Sequence, residues 1–210
     1  MQDPLAAASA LELYMKARAE AVLSAQPGDP VLLLSGGVDS IATGATLHSL
    51  GVRPYCVTVI GRDEAQTDRS RAVQAAAHFG FEHHVVELDS VHLIELVSEI
   101  VKRLEMDELW EVAAAVPITA AFAHIDHVGI DKGPVFAGAG ADVLLAGGKR
   151  IHSDLDGDTA REELEELIWA DLHSHFIYER QIPDFYRRVL GDQEGRFVQF
   201  FQTEAAWELT

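Results

Sequence analysis

"VLLLSGGVDSIATGA", residues 31–45, decides the fold. Val31 to Leu34 form an apolar run with no polar interruption, the pattern of a strand buried on both faces of a parallel sheet. The run ends in Ser35-Gly36-Gly37. Val38-Asp39-Ser40 then opens a segment of small residues, Ile41 to Leu50, that reads as a helix closed by Gly51. Ligands of open parallel sheets bind at such strand ends, where a loop enters a helix. Glycines let the backbone approach a ligand closely, and the helix start favours an anion. Ser35 and Ser40 offer hydroxyl donors to phosphate oxygens. Asp39 repels phosphate on its own account, and makes sense as the holder of a divalent cation that also touches the phosphates. A turn capped by Asp and Ser accounts for Gly36-Gly37 alone; the complete set points to nucleotide binding. GxxxxGK[ST] occurs nowhere in the chain, and the loop is not the dinucleotide pattern GxGxxG.

Outward from this unit, strands are expected at Pro54–Ile60, His84–Leu88 and Val135–Ala137. Helices are expected at about residues 8–26, at Asp68–Phe79 and at Val91–Leu104, the last with Leu93, Leu96, Val97, Ile100 and Leu104 on one face. Val112–His127 is apolar enough to be largely buried. This alternation predicts an α/β fold: a twisted, Rossmann-like parallel sheet with helices on both faces. Beyond Arg150 the pattern changes, and residues 152–190 show no strand. A soft boundary near residue 150 divides a nucleotide-binding α/β domain, 1–150, from a short helical region, 151–210, packed on it.

Composition narrows the function. The chain has 210 residues, 48% hydrophobic and 24% charged, as expected of a globular protein with one sizeable core. No apolar run approaches the ~18 residues of a membrane span. The N-terminus has no basic start followed by an apolar block, so a cytoplasmic location is expected. The single cysteine, Cys56, rules out an internal disulfide and a CxxC zinc site, and reads as a small core residue. The net charge of −18, without a basic cluster, disfavours nucleic acid and means that an anionic substrate needs metal cations.

Ser35 to Ser40 resembles the pyrophosphate-binding loop of the PP-loop ATP pyrophosphatase superfamily, whose members cleave ATP between the α- and β-phosphates. A second stretch, "VFAGAGADVLLAGGKR" at 135–150, resembles the asparagine synthetase segment LSGEGADELFGGY, with Gly138, Gly140, Ala141, Asp142, Leu144, Gly147 and Gly148 in register. The stretches "DRSRAVQAAAHFGFEHHVVELD" and "EVAAAVPITAAFAHIDHVGIDKGPVF" also resemble that family. The resemblance is good over about residues 30–150. It implies an adenine nucleotide α-hydrolase-like fold, ATP and Mg2+ as cofactors, and pyrophosphate and magnesium binding by Ser35, Gly36, Gly37, Asp39 and Ser40. It also implies Asp142 as the second magnesium ligand, and Leu33, Ile60 and Gly138 as a backbone frame for adenine.

The departures matter too. Ala139 stands where the family has Glu, and a methyl group can neither take a proton nor bind a cation. Val143 replaces the final Glu. The family's glutaminase domain, which supplies ammonia, is not recognisable, and its later catalytic lysine is not evident. Lys149 is the candidate replacement, with a surface lysine as the alternative. The expected activity is ATP-dependent adenylation of a carboxylate or carbonyl, followed by ligation to an amine or ammonia. The nitrogen would come from solution, from a substrate amine or from a partner amidotransferase, and a homo-oligomer is a further expectation. The alternatives are a catalytically degenerate nucleotide-binding subunit and a PP-loop enzyme modifying a nucleobase. Asp154, Asp156 and Asp158 look calcium-like but lack the glycine of an EF-hand loop, and read as a solvated loop capping the helix at Thr159. His124, His127, His173 and His175 read as ordinary histidines rather than metal ligands.

Overall fold

The computed structural model describes residues 4–62, 66–130, 132–141, 151–153, 157–181, 184–201, 203 and 206. The chain runs α1 (Pro4–Ala25), β1 (Val31–Leu33), α2 (Val38–Ser49), β2 (Tyr55–Gly61), α3 (Gln66–Phe79), β3 (His83–Leu88), α4 (Ser90–Leu104), α5 (Leu109–Val128) and β4 (Val135–Ala137). Helices α6 (Asp158–Gln181) and α7 (Phe185–Leu190), a 3-10 turn (Gly191–Arg196) and β5 (Phe197–Gln199) follow. The strands form one sheet in the order β3-β2-β1-β4-β5, with every neighbouring pair parallel.

Successive residues of a strand face opposite sides, and the core divides accordingly. Leu32, Leu34, Cys56, Phe136 and Val198 pack with Met15 and Ala19 of α1, Leu47 of α2, and Ala72, Ala75 and Ala76 of α3. Val31, Val57 and Val135 face the other way, onto Ile100 and Leu104 of α4, Val112, Phe122 and Ile125 of α5, and Val189 and Leu190 of α7. The continuous apolar runs of β1 and β4 follow from this double coverage. Cys56 is fully buried, as expected, and burial pushes its thiol up to about 12.

Two elements differ from the sequence expectation. Helix α1 begins at Pro4, several residues earlier, because a proline at a helix start gives up an N–H that has no partner there anyway. The region beyond residue 150 was expected to be helical throughout, yet Phe197–Gln199 adds a fifth strand beside β4, with Phe136 opposite Val198. Three residues are too few to show a strand period; β5 is placed by pairing with β4 and by packing of Val198 and Phe197 into the two sides of the core. No helix among the described residues is long and apolar enough to cross a membrane.

Candidate functional site

The strand order reverses at β1. The chain leaves β1 through α2 to reach β2 on one side, and returns through α5 to place β4 on the other. In open parallel sheets ligands bind at such a reversal, here outside the carboxyl ends of β1 and β4. Leu33 pairs with Ala137 at these ends, so the Ser35 loop and Gly138 emerge side by side.

Two glycines close this arrangement. Gly36 is buried with φ +85°, and a Cβ there would lie 2.3 Å from the Asp68 carbonyl oxygen and 3.1 Å from the Ala72 nitrogen. Only glycine fits both the backbone angle and the space, so the loop rests against the first turns of α3. At Gly138 a Cβ would lie 2.6 Å from both the Asp39 carbonyl carbon and the Ser40 nitrogen. The exit of β4 thus lies directly on the first turn of α2. The two loops, about a hundred residues apart in sequence, meet backbone to backbone.

The hydroxyls of the first loop are ordered by proton accounting. The Gly37 carbonyl can only accept, so Ser40 donates its one proton there at 2.9 Å. Ser35 then donates to Ser40 Oγ at 3.0 Å, and Ser35 Oγ accepts from the Gly37 N–H at 3.2 Å. Ser40 is 3% exposed and buttresses the loop from inside, whereas Ser35 is exposed. Gly37 caps α2 without a side-chain hydrogen bond. The first-turn amides of a helix have no intrahelical acceptor, which leaves backbone donors at the mouth. Asp39 stands in this first turn, half-buried, with its carbonyl accepting from Thr43 Oγ1 at 2.9 Å. Leu33, Ile60 and Gly138 are half-buried at the ends of β1, β2 and β4. Ala139 is exposed beside Gly138. Asp142 and Lys149 lie outside the described residues; of the rest, the structure brings together Leu33, Ser35, Gly36, Gly37, Asp39, Ser40 and Gly138, with Ile60 near the end of the neighbouring β2.

One support was not anticipated. Thr58, 1% exposed in β2, hydrogen-bonds the Leu34 carbonyl at 2.5 Å and His83 Nε2 at 2.7 Å. The signal was available: a lone hydroxyl inside the apolar run "YCVTVI" must find a partner when buried. Of the other candidates, His124 hydrogen-bonds Tyr55 Oη through Nε2 at 3.0 Å and stacks on His84 with ring centroids 4.1 Å apart. Burial, and then the nearby His84 and His127, hold its pKa below the usual histidine value. Asp158 opens α6; Asp154 and Asp156, and the side chains of His173 and His175, lie outside the described residues. Among the described residues, which exclude Asp142, no three His, Cys, Asp or Glu side chains are grouped to hold a metal ion.

Comparison with known proteins agrees with the motif resemblance. The curated asparagine synthetase [glutamine-hydrolyzing] of Gallus gallus is 32% identical over 141 residues, covering 65% of this chain and 25% of that protein. Its Homo sapiens counterpart is 30% identical over 141 residues with the same coverages. This chain therefore spans about a quarter of the length of the curated relatives it matches. Among solved structures, an NH3-dependent NAD synthetase from Campylobacter jejuni aligns with a TM-score of 0.48 and 17% identity, covering 85% of this chain and 78% of that one. The family model described as asparagine synthase matches residues 26–206. The chain belongs to the asparagine synthase family.

Proposed function

We propose that the chain binds ATP at the Ser35–Ser40 loop and adenylates a carboxylate or carbonyl oxygen, releasing pyrophosphate before ligation to an amine or ammonia. The backbone contact of Gly138 with Asp39 and Ser40 supports this reading, because it brings the exit of β4 onto the first turn of α2. The residues fit a magnesium-bound triphosphate. The start of α2, whose Gly37 cap makes no side-chain hydrogen bond, suits phosphate oxygens, and Asp39 is an oxygen ligand suited to Mg2+.

Ser35, Gly36 and Gly37 would meet the phosphates chiefly through backbone, while Ser40 keeps the loop in shape. Leu33, Ile60 and Gly138 would border the adenine with backbone. Asp39 would share the cation with Asp142, and Lys149 would take the place of the family's lysine. Bound magnesium supplies charge neutralisation on the phosphates. The protein's own contribution is position, since holding reactants in register lowers the barrier without new covalent chemistry. A small-molecule carboxylate and an amine are the proposed substrates, with ammonia from solution or from a partner amidotransferase.

The test is calorimetric ATP binding with and without Mg2+, joined to pyrophosphate release over a pool of carboxylates. Magnesium-dependent binding and release with at least one carboxylate are expected; absence of both would sink the proposal. The exposed methyl of Ala139 favours one second reading, a module that binds ATP without turning it over. That reading requires ATP binding with no release. Release gained by Ala139→Glu would mark it as a decayed enzyme.

A further inference from the structure

We infer that Thr58 and His83, which lie outside both glycine loops, are positioning residues for the phosphate loop, acting through the Leu34 carbonyl. The inference rests on reading Ser35–Ser40 as the ATP site. It starts from protons. A threonine hydroxyl carries one proton, and a backbone carbonyl only accepts. At 2.5 Å, Thr58 Oγ1 and the Leu34 oxygen need that proton between them. Thr58 therefore donates to Leu34 and accepts from His83, which fixes His83 as the tautomer carrying its proton on Nε2. The relay runs from the edge strand β3, through β2, to the residue just before Ser35. The Leu34 N–H is also held, by the Val57 carbonyl at 2.9 Å.

Both polar groups of Leu34 are thus tied to β2 although the residue lies beyond the end of β1. The peptide joining Leu34 to Ser35 is planar and trans, so its N–H points opposite to its C=O. Pinning the Leu34 oxygen on Thr58 fixes the direction of the Ser35 N–H, the first amide of the loop. The link also survives acid. A protonated His83 still carries hydrogen on Nε2, so the relay keeps its sense when the ring titrates.

Thr58→Val keeps the side-chain shape and removes the donor, Thr58→Ser keeps the donor, and His83→Leu removes the far end. Hydrogen exchange of the Ser35, Gly36 and Gly37 amides in nucleotide-free protein reads the loop alone. In Thr58→Val it should quicken by about tenfold, the scale of one lost hydrogen bond, with Val31 and Leu32 unchanged. The KM for ATP should rise by about tenfold while kcat stays within about twofold. Thr58→Ser should restore both. His83→Leu, which leaves the Thr58 donor in place, should shift both in the same direction by less than Thr58→Val, and the double variant should be no worse than Thr58→Val, because His83 acts only through Thr58. Unchanged loop exchange in Thr58→Val, failure of Thr58→Ser to restore it, or additive effects in the double variant would overturn the inference. If the wild-type protein binds no ATP, the ATP reading alone falls, and the exchange measurement still decides the role of the relay.

Discussion

Gly138→Ala isolates the contact on which the site depends. The added methyl would lie 2.6 Å from the Asp39 carbonyl carbon and the Ser40 nitrogen, and 2.9 Å from the Asp39 oxygen. Comfortable carbon contacts begin near 3.5 Å, so β4 and α2 must part by about 1 Å. The obstacle is helix backbone, which cannot swing aside like a side chain. Overpacking of this kind costs about 1–3 kcal/mol, or a Tm loss of about 2–12 °C for a chain of this size. A displacement of about 1 Å between the two loops should weaken ATP binding by about 10- to 100-fold. Gly80→Ala is the matched control. Its φ is +68° and the space around it is open, so it carries only the left-handed backbone cost of about 1–2 kcal/mol. Scanning fluorimetry and ATP calorimetry with Mg2+ should show both variants less stable, with only Gly138→Ala impaired in binding. Wild-type affinity in Gly138→Ala, alongside a Tm loss like that of Gly80→Ala, would refute the apposition of the loops as the basis of the site.

Three further outcomes follow from the same structure. Asp39→Asn should abolish the gain in ATP affinity on adding Mg2+, with a stability change of about 0.3–1 kcal/mol from the altered helix start; magnesium that still tightens ATP binding would remove Asp39 from its role. Glu111, 3% exposed in α5, has its carboxyl held above the usual range by burial and then by Glu108. A carboxyl whose folded pKa is raised costs stability as pH climbs through the ordinary carboxylate range. Glu111→Gln should therefore raise Tm at pH 8 by more than at pH 4, and an equal difference at both would contradict this. Cys56, fully buried with its thiol pushed up to about 12, should resist iodoacetamide at pH 8 until urea unfolds the chain, as checked by mass spectrometry against circular dichroism.

The fold was legible wherever burial imposed a pattern. β1 and β4 are covered on both faces, so each reads as an uninterrupted apolar run into a glycine turn. β5 escaped because three residues carry no period, and pairing with β4 and core packing place them. At the site, residue types were legible and contacts were not. Nothing local to Gly138 announces that its missing Cβ makes room for Asp39, and nothing local to Gly36 announces Asp68. These are tertiary reasons for glycine, visible only once strand order is known. Thr58 lay between: its polarity inside β2 was plain, but its partners sit just past the end of β1 and on β3.

The loop's own hydrogen bonds sharpen the meaning of its missing lysine. Ser40 donates to the Gly37 carbonyl and Ser35 to Ser40, so the two hydroxyls also hold the loop together. On the proposed reading, the first-turn amides of α2 remain for phosphate, beside the negative charge of Asp39. A triphosphate entering a chain of net charge −18 then meets repulsion that dipolar amides offset only in part. The proposal therefore predicts that the cation is needed for binding itself and not only for chemistry. ATP affinity should collapse without Mg2+, whereas a lysine-bearing phosphate loop would keep part of it.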